Sequence, residues 1–293
     1  MSSTTARLGG FTLAAALMFL AAFGAGRLVG PTDVESAPAM ADMEPESGHE
    51  GMATEPAADQ EHPAGLQVSE SGYTLEVLAG PTAAGTSTEL AFRIVGPGGL
   101  PTTSFRPNHD KLMHLIVVRR DLAFYQHIHP TMTPDGTWHI ALRLPEAGTY
   151  RVLADFVPDS HDKLTLGTDL PIAGDYRPAP LPGPSRTATV DGYTVTLDGT
   201  LSPGKDSELT FTVSKDGRPV TDLQRYLAAY GHLVILRPGD LGYLHVHPHD
   251  SATPGPAISF TAEIPTSGQY RLYLDFQHGD QVRTATLTAE AGR

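Results

Sequence analysis

The second half of this chain repeats the first, and that limits its fold more than any other feature. SGYTLEV at residues 71–77 returns as DGYTVTL at 191–197, and GTSTELAFRIV at 85–95 as GKDSELTFTVS at 204–214. HLIVVRRDL at 114–122 returns as HLVILRPGDL at 232–241, and YQHIHP at 125–130 as YLHVHP at 243–248. LPEAGTYRVLADF at 144–156 matches IPTSGQYRLYLDF at 264–276, and every offset lies between 118 and 120. This is a tandem duplication. The proline-rich YRPAPLPGPSR, 176–186, reads as a stiff linker between the copies. It leaves two domain-sized segments, 67–175 and 187–293.

Each segment reads as short strands. Leu90, Phe92 and Ile94 alternate with Glu89, Ala91 and Arg93, and Leu209, Phe211 and Val213 alternate with Glu208, Thr210 and Thr212. Trp138, Ile140, Leu142 and Leu144 follow the same rule. Period-two alternation over such lengths marks half-buried strands. Roughly seven strands per copy, cut by glycine and proline turns, predict an all-β chain of two tandem immunoglobulin-like β-sandwiches. Tyr150 and Tyr270 follow Gly148-Thr149 and Gly268-Gln269, as does the tyrosine opening a late strand in such folds. One stretch, DLQRYLAAY at 222–230, hints at about two turns of helix.

The histidines carry the chemistry. Residues i and i+2 of a strand share a face about 6.6 Å apart, so His127 and His129 point together, as do His245 and His247. Pro130 and Pro248 end those strands. His114 and His232 open strongly apolar strands just upstream, and a turn with Asp121 or Asp240 makes neighbours of the two strands. Asp155 and Asp275 hold matching places downstream, with His161 and His278 beyond them. The expected metal ligands are therefore His114, His127, His129 and Asp155 in one half, and His232, His245, His247 and Asp275 in the other. His161 and His278 are weaker candidates. His109 and His249 flank the set. The competing reading is a neutral hydrogen-bonded lock, in which Asp155 pairs with His127 or His129 inside the sandwich.

Composition narrows the chemistry. The chain has no cysteine, so disulfides, thiolate metal sites and thiol nucleophiles are excluded together. A net charge of -13 disfavours nucleic acid and anionic lipid surfaces. Residues 8–26 carry no charge; as a helix they span roughly 28 Å, close to a bilayer core of about 30 Å. Residues 8–30 are expected to form a transmembrane anchor or signal segment, with residues 1–7 cytoplasmic and the rest extracytoplasmic. Residues 31–66 are acidic and poor in bulky apolar side chains, as a disordered tether would be. Met40, Met43, His49 and Met52 lie within it; thioether and imidazole together suit copper.

The string MHLIVVRRDLAFYQHIHP, with GTWHIALRLPEAGTYRVLADF after it, resembles secreted or membrane-anchored bacterial proteins, common in actinobacteria, that group near copper and heavy-metal handling. The sandwich is similar to YtkA-like and CopC-like extracytoplasmic domains. The resemblance implies a non-enzymatic, metal-linked role. CopC-like proteins use a mature N-terminal histidine as ligand, whereas an anchor and tether occupy that end here.

The expected function is a membrane-anchored extracytoplasmic metal-binding protein, for copper or alternatively zinc, with a protein partner in metal transfer and no catalytic activity. The alternative is a structural or adhesive tandem module whose histidines are internal hydrogen-bonding residues. No Ser-His-Asp, paired-carboxylate or nucleotide-loop motif points to an enzyme.

Overall fold

The computed structural model describes residues 63–244 and 246–292. The alternating segments become strands throughout, and no helix occurs among the described residues. The first copy comprises β1 (Ser69–Glu70), β2 (Tyr73–Ala79), β3 (Ser87–Val95), β4 (Phe105–Arg106) and β5 (Met113–Arg119). It continues with β6 (Gln126–Ile128), β7 (Thr131–Met132), β8 (Thr137–Arg143), β9 (Gly148–Pro158) and β10 (Leu164–Ile172). The second copy comprises β11 (Thr187–Val190), β12 (Tyr193–Asp198), β13 (Lys205–Lys215), β14 (Arg218–Pro219) and β15 (Gly231–Leu236). β16 (Val246–Pro248), β17 (Ala257–Ile264), β18 (Gly268–His278) and β19 (Gln281–Ala291) complete it.

Two antiparallel sheets face each other in each copy. The first copy pairs its strands as β1-β2-β3-β8-β7 and β10-β9-β5-β6, and the second as β11-β12-β13-β17-β16 and β15-β18-β19. Between the sheets of the first copy lies a core with Leu90, Phe92, Ile94, Trp138, Leu142, Leu115, Val117, Tyr150, Val152 and Phe156. The second copy builds the same core from Leu209, Phe211, Val213, Leu233, Ile235, Tyr270, Leu272 and Phe276. Both tyrosines expected at a strand corner turn back to the preceding loop. Tyr150 Oη donates to Glu146 O at 3.0 Å and Tyr270 Oη to Thr266 O at 2.8 Å, the hydrogen bond of a tyrosine corner.

The helical expectation for residues 222–230 is corrected. Tyr226 and Ala229 pair their backbones around Leu227 and Ala228, whose φ angles are 56° and 66°. Two successive positive φ values define a type I′ turn. A nine-residue helix would have been marginal in any case, and Leu223 and Leu227 find burial without it. Residues 108–111 form the same turn in the first copy, with His109 and Asp110 at φ 47° and 62°.

The copies do not hang as separate beads; the described residues of both fall within one compact unit. The outer face of the sheet with β5 and β9 packs on that of the sheet with β15 and β18. Ile116, Val118, Leu122 and Leu153 meet Val234, Leu236, Leu241, Tyr243 and Tyr273 there. Ile116 and Val234, Val118 and Leu236, Leu122 and Leu241, and Leu153 and Tyr273 are equivalent positions of the repeat. The interface is thus isologous, as in a twofold homodimer, but within one chain. Burying side chains of this size contributes about 1.5–3 kcal/mol each, so separating the halves would forfeit a core. Tyr273 Oη donates to Leu122 O across it at 2.7 Å. Ala64 bridges to Tyr243, and the amide of Gly65 donates to Thr165 O, so the leading segment runs between the copies.

Candidate metal centre

Strand alternation decides where the histidines go. On β5, Leu115 and Val117 fill the sandwich interior, so His114, Ile116 and Val118 face outward, toward the second copy. β6 pairs with β5 so that Ile128 opposes Leu115 and His127 opposes Ile116. Directly opposed residues share a face, so His127 joins Ile116 on the outside, and His129, two residues on, follows it. β9 places Asp155 opposite His114 on that face.

The three rings converge. His114 Nδ1 lies 2.9 Å from His127 Nε2 and 3.2 Å from His129 Nε2. Among the described residues these three form the group whose ligand atoms all lie within 4.8 Å of one another. The outward-facing nitrogens orient the rings. His114 Nε2 is 2.8 Å from the carbonyl of Asn108, which can only accept, so Nε2 carries the hydrogen and Nδ1 the lone pair. His127 Nδ1 is 2.8 Å from the Asp275 carboxylate, so it donates there and turns Nε2 toward His114 Nδ1. The side chains of His127 and Asp275 are 1 % and 3 % exposed. Asp275 is held in turn by Thr284 Oγ1, which donates to Oδ1 at 2.5 Å. His114 Nδ1 and His127 Nε2 therefore face each other at 2.9 Å, with His129 Nε2 beside them. A tetrahedral ion with metal–nitrogen bonds of 2.0–2.1 Å needs ligand nitrogens roughly 3.3 Å apart. A carboxylate behind a ligating imidazole is also the usual outer partner.

Burial disfavours the charged form of His114, His129 and His232, and metal ligation takes the neutral form. Burial pulls the His114 pKa down to about 4, against the raising effect of the bond to Asn108 O. His129 falls to about 3, first through burial and then through His127 and His114. His232, from the second copy, is driven well below 6.5, again by burial first. Its ring centre stands 5.3 Å from that of His114 and 5.0 Å from that of His127. His109, at the tip of its turn, lies 5.0 Å from His232 and 6.3 Å from His114, and burial lowers its pKa too. Tyr125 stacks on Tyr273 at 3.9 Å and packs against the apolar junction of the copies.

The other expected ligands are placed differently. Asp155 accepts from Thr165 Oγ1 at 2.9 Å and pairs with Lys163 Nζ at 3.1 Å, so the triad has its carboxylate from Asp275 of the other copy. His161 packs edge-on to Tyr73 and contacts Asp162 O at 3.1 Å. His278 lies between Tyr193 Oη at 2.7 Å and Asp222 Oδ1 at 3.0 Å. β16 pairs with β17, carrying exposed His247 into the opposite sheet of its sandwich. His245, the segment 8–30, and Met40, Met43, His49 and Met52 lie outside the described residues. In place of one site per half, the described residues form a single cluster at the junction of the halves. His109 belongs to its rim. The signal for it was the Asn-His-Asp run at 108–110, a turn sequence just before the His114 strand.

A family model described as a domain of unknown function (DUF8832) matches residues 67–177 and 188–293. No curated protein matches the sequence. Among solved structures, the chain is similar to FdeC, an adhesin of Escherichia coli, at 16 % identity and a TM-score of 0.25. That match covers 77 % of this chain and 65 % of the adhesin chain, less than two thirds of its length. Domains 4 and 5 of the S-layer protein SbsC are 10 % identical with a TM-score of 0.24, over 78 % of this chain and all (100 %) of that one. The titin Ig tandem A164-A165 is 14 % identical with a TM-score of 0.20, over 76 % and 99 %.

Proposed function

The chain belongs to the DUF8832 family in both its halves, and from that premise we propose that it binds a transition-metal ion through His114, His127 and His129 at the junction of its two sandwiches. The observation that carries the reading is the convergence of His114 Nδ1, His127 Nε2 and His129 Nε2, 2.9 and 3.2 Å apart, while the other ring nitrogens of His114 and His127 are committed to acceptors. An ion between them would bond all three nitrogens. Three neutral imidazoles suit copper and zinc; copper stands higher in the divalent series, and imidazole serves Cu(II) well. The uncharged run at 8–26 supports an anchored, extracytoplasmic protein, and the Met and His residues of 31–66 support capture of copper ahead of the folded unit. Burial of the cluster supports holding and handing on an ion without catalysis, to a partner protein that receives it.

The second reading is an immunoglobulin-like structural or adhesive tandem whose histidines only lock the halves together. The bonds from His127 to Asp275 and from His114 to Asn108 favour it. Metal content separates the two. The full chain, exposed to copper or zinc and freed of excess by gel filtration, should retain about one ion, and the His114→Ala/His127→Ala double variant should retain none. Equal and negligible metal in both proteins would leave the structural reading.

A further inference from the structure

We infer that His232 of the second copy is a fourth ligand of the same ion, so that the metal joins the two halves of the protein; this rests on the metal-binding reading above. The first support is spacing. An imidazole bonded at 2.0–2.1 Å puts its ring centre roughly 3.2 Å from the ion, and tetrahedral ring centres are then roughly 5 Å apart. The rings of His114, His127 and His129 stand 5.2, 5.0 and 4.9 Å from one another. The His232 ring stands 5.3 and 5.0 Å from two of them, at the same spacing.

The second support is chemical. Both ring nitrogens of His232 are shielded from solvent and neither has a hydrogen-bond partner. A buried imidazole left in that state carries an uncompensated desolvation cost, which a metal bond would offset. Turning the ring to aim a nitrogen at the triad breaks no hydrogen bond, because it makes none. His109 lies 6.3 Å from His114, farther than any ring of the proposed set is from it, and stays outside the first ring of ligands.

The third support is topological. His232 is the repeat equivalent of His114, and the isologous interface sets equivalent positions against each other. A site with three imidazoles from one copy and one from the other is closed. Closed four-coordinate sites hold their ion, whereas catalytic ones keep a position open for water or substrate.

The test is the coordination of Zn(II) alone, added at one equivalent to the full chain, read by X-ray absorption at the zinc edge. Dissociation constants come from competition with a chromophoric chelator. Wild type should show four imidazoles, and His232→Ala three with an oxygen ligand. The His232→Ala dissociation constant should rise about 100-fold or more, beyond the ~10–100-fold expected for loss of an outer partner as in Asp275→Asn. Three imidazoles plus oxygen in wild type, or an unchanged dissociation constant in His232→Ala, overturns the fourth ligand and leaves the triad. Wild type that binds neither Zn(II) nor, in a parallel titration, Cu(II) overturns the metal reading itself. Should His232→Ala fail to fold, His232→Asn replaces it, and the wild-type ligand count decides by itself.

Discussion

Replacing Asp275 by Asn changes one charge in the cluster and almost no volume. The carboxylate accepts from His127 Nδ1 at 2.8 Å and from Thr284 Oγ1 at 2.5 Å. An asparagine can keep the first bond by presenting its carbonyl to His127 and its amide to the threonine hydroxyl, which then accepts. Hydrogen bonds to a charged group contribute about 1.5–3 kcal/mol and neutral ones about 1 kcal/mol. Metal-free Asp275→Asn should therefore lose on the order of 1–2 kcal/mol of folding stability, read from its urea midpoint. Losing an outer carboxylate weakens metal binding about 10–100-fold, equal to roughly 1.4–2.7 kcal/mol of binding free energy. The assay is chelator competition with Cu(II) and Zn(II), run beside His127→Ala. The pattern expected is a modest stability loss, a weakened dissociation constant for Asp275→Asn, and far weaker binding for His127→Ala. If Asp275→Asn lost stability while its metal affinity matched wild type, the carboxylate would be a structural lock only, and the reasoning about His127 would fail.

Three further outcomes follow from the same coordinates. Metal-free protein should weaken as pH falls: His114 titrates near 6.5 unfolded and about 4 folded, so below about pH 6.5 the unfolded chain binds a proton the folded one refuses. For His114 the loss has an upper bound of roughly 3 kcal/mol, reached below pH 4; urea midpoints at pH 7 and 4.5 should differ in that direction, and less in His114→Gln. Leu153→Ala should cost about 2–5 kcal/mol, because Leu153 is fully buried between the copies; a near-zero change in urea unfolding would mean the halves do not share that core in solution. Arg119, 1 % exposed, binds Asp121, Glu146 and the carbonyl of Arg177, and Asp121 accepts from the amide of Ala179. Arg119→Ala should cost about 3–5 kcal/mol and speed proteolysis within residues 176–186; unchanged cleavage would show that this anchor does not restrain the linker.

Much of the β architecture was legible because alternation has a period of two and burial respects it. Leu90, Phe92 and Ile94 went inward as their spacing required. The convergence of His114 with His127 and His129 was legible for the same reason, since two residues i and i+2 share a face and a short turn makes the adjacent strand a neighbour. The choice of face was not. β5 is buried along its whole length, and an unbroken apolar run says nothing about which side meets the sandwich interior and which meets another domain. The stretch 222–230 misled because Leu223 and Leu227 are four apart, a helical spacing that a type I′ turn satisfies equally well once both side chains meet the core.

Assigning Asp155 to the first site assumed that like serves like within a copy, and face-to-face packing undoes that assumption. When two equivalent faces meet about a near-twofold relation, residues close to the axis meet their own counterparts, as His114 meets His232 at 5.3 Å between ring centres. Residues away from it meet something else, as His127 meets Asp275. A strict twofold would give the first copy's Asp155 an equivalent duty, but the repeat is broken beside it. In register, Leu164 opposes Phe156 and Arg283 opposes Phe276, so the residues just before them, Lys163 and Val282, are counterparts. Lys163 claims Asp155 at 3.1 Å, while valine at the matching place supplies no cation to Asp275. One lysine-for-valine difference thus leaves one of two equivalent carboxylates uncommitted to a cation, and it is the one that orients His127. The duplication supplied two equivalent sets of residues, and a difference outside the histidine cluster accompanies the one asymmetric cluster seen among the described residues.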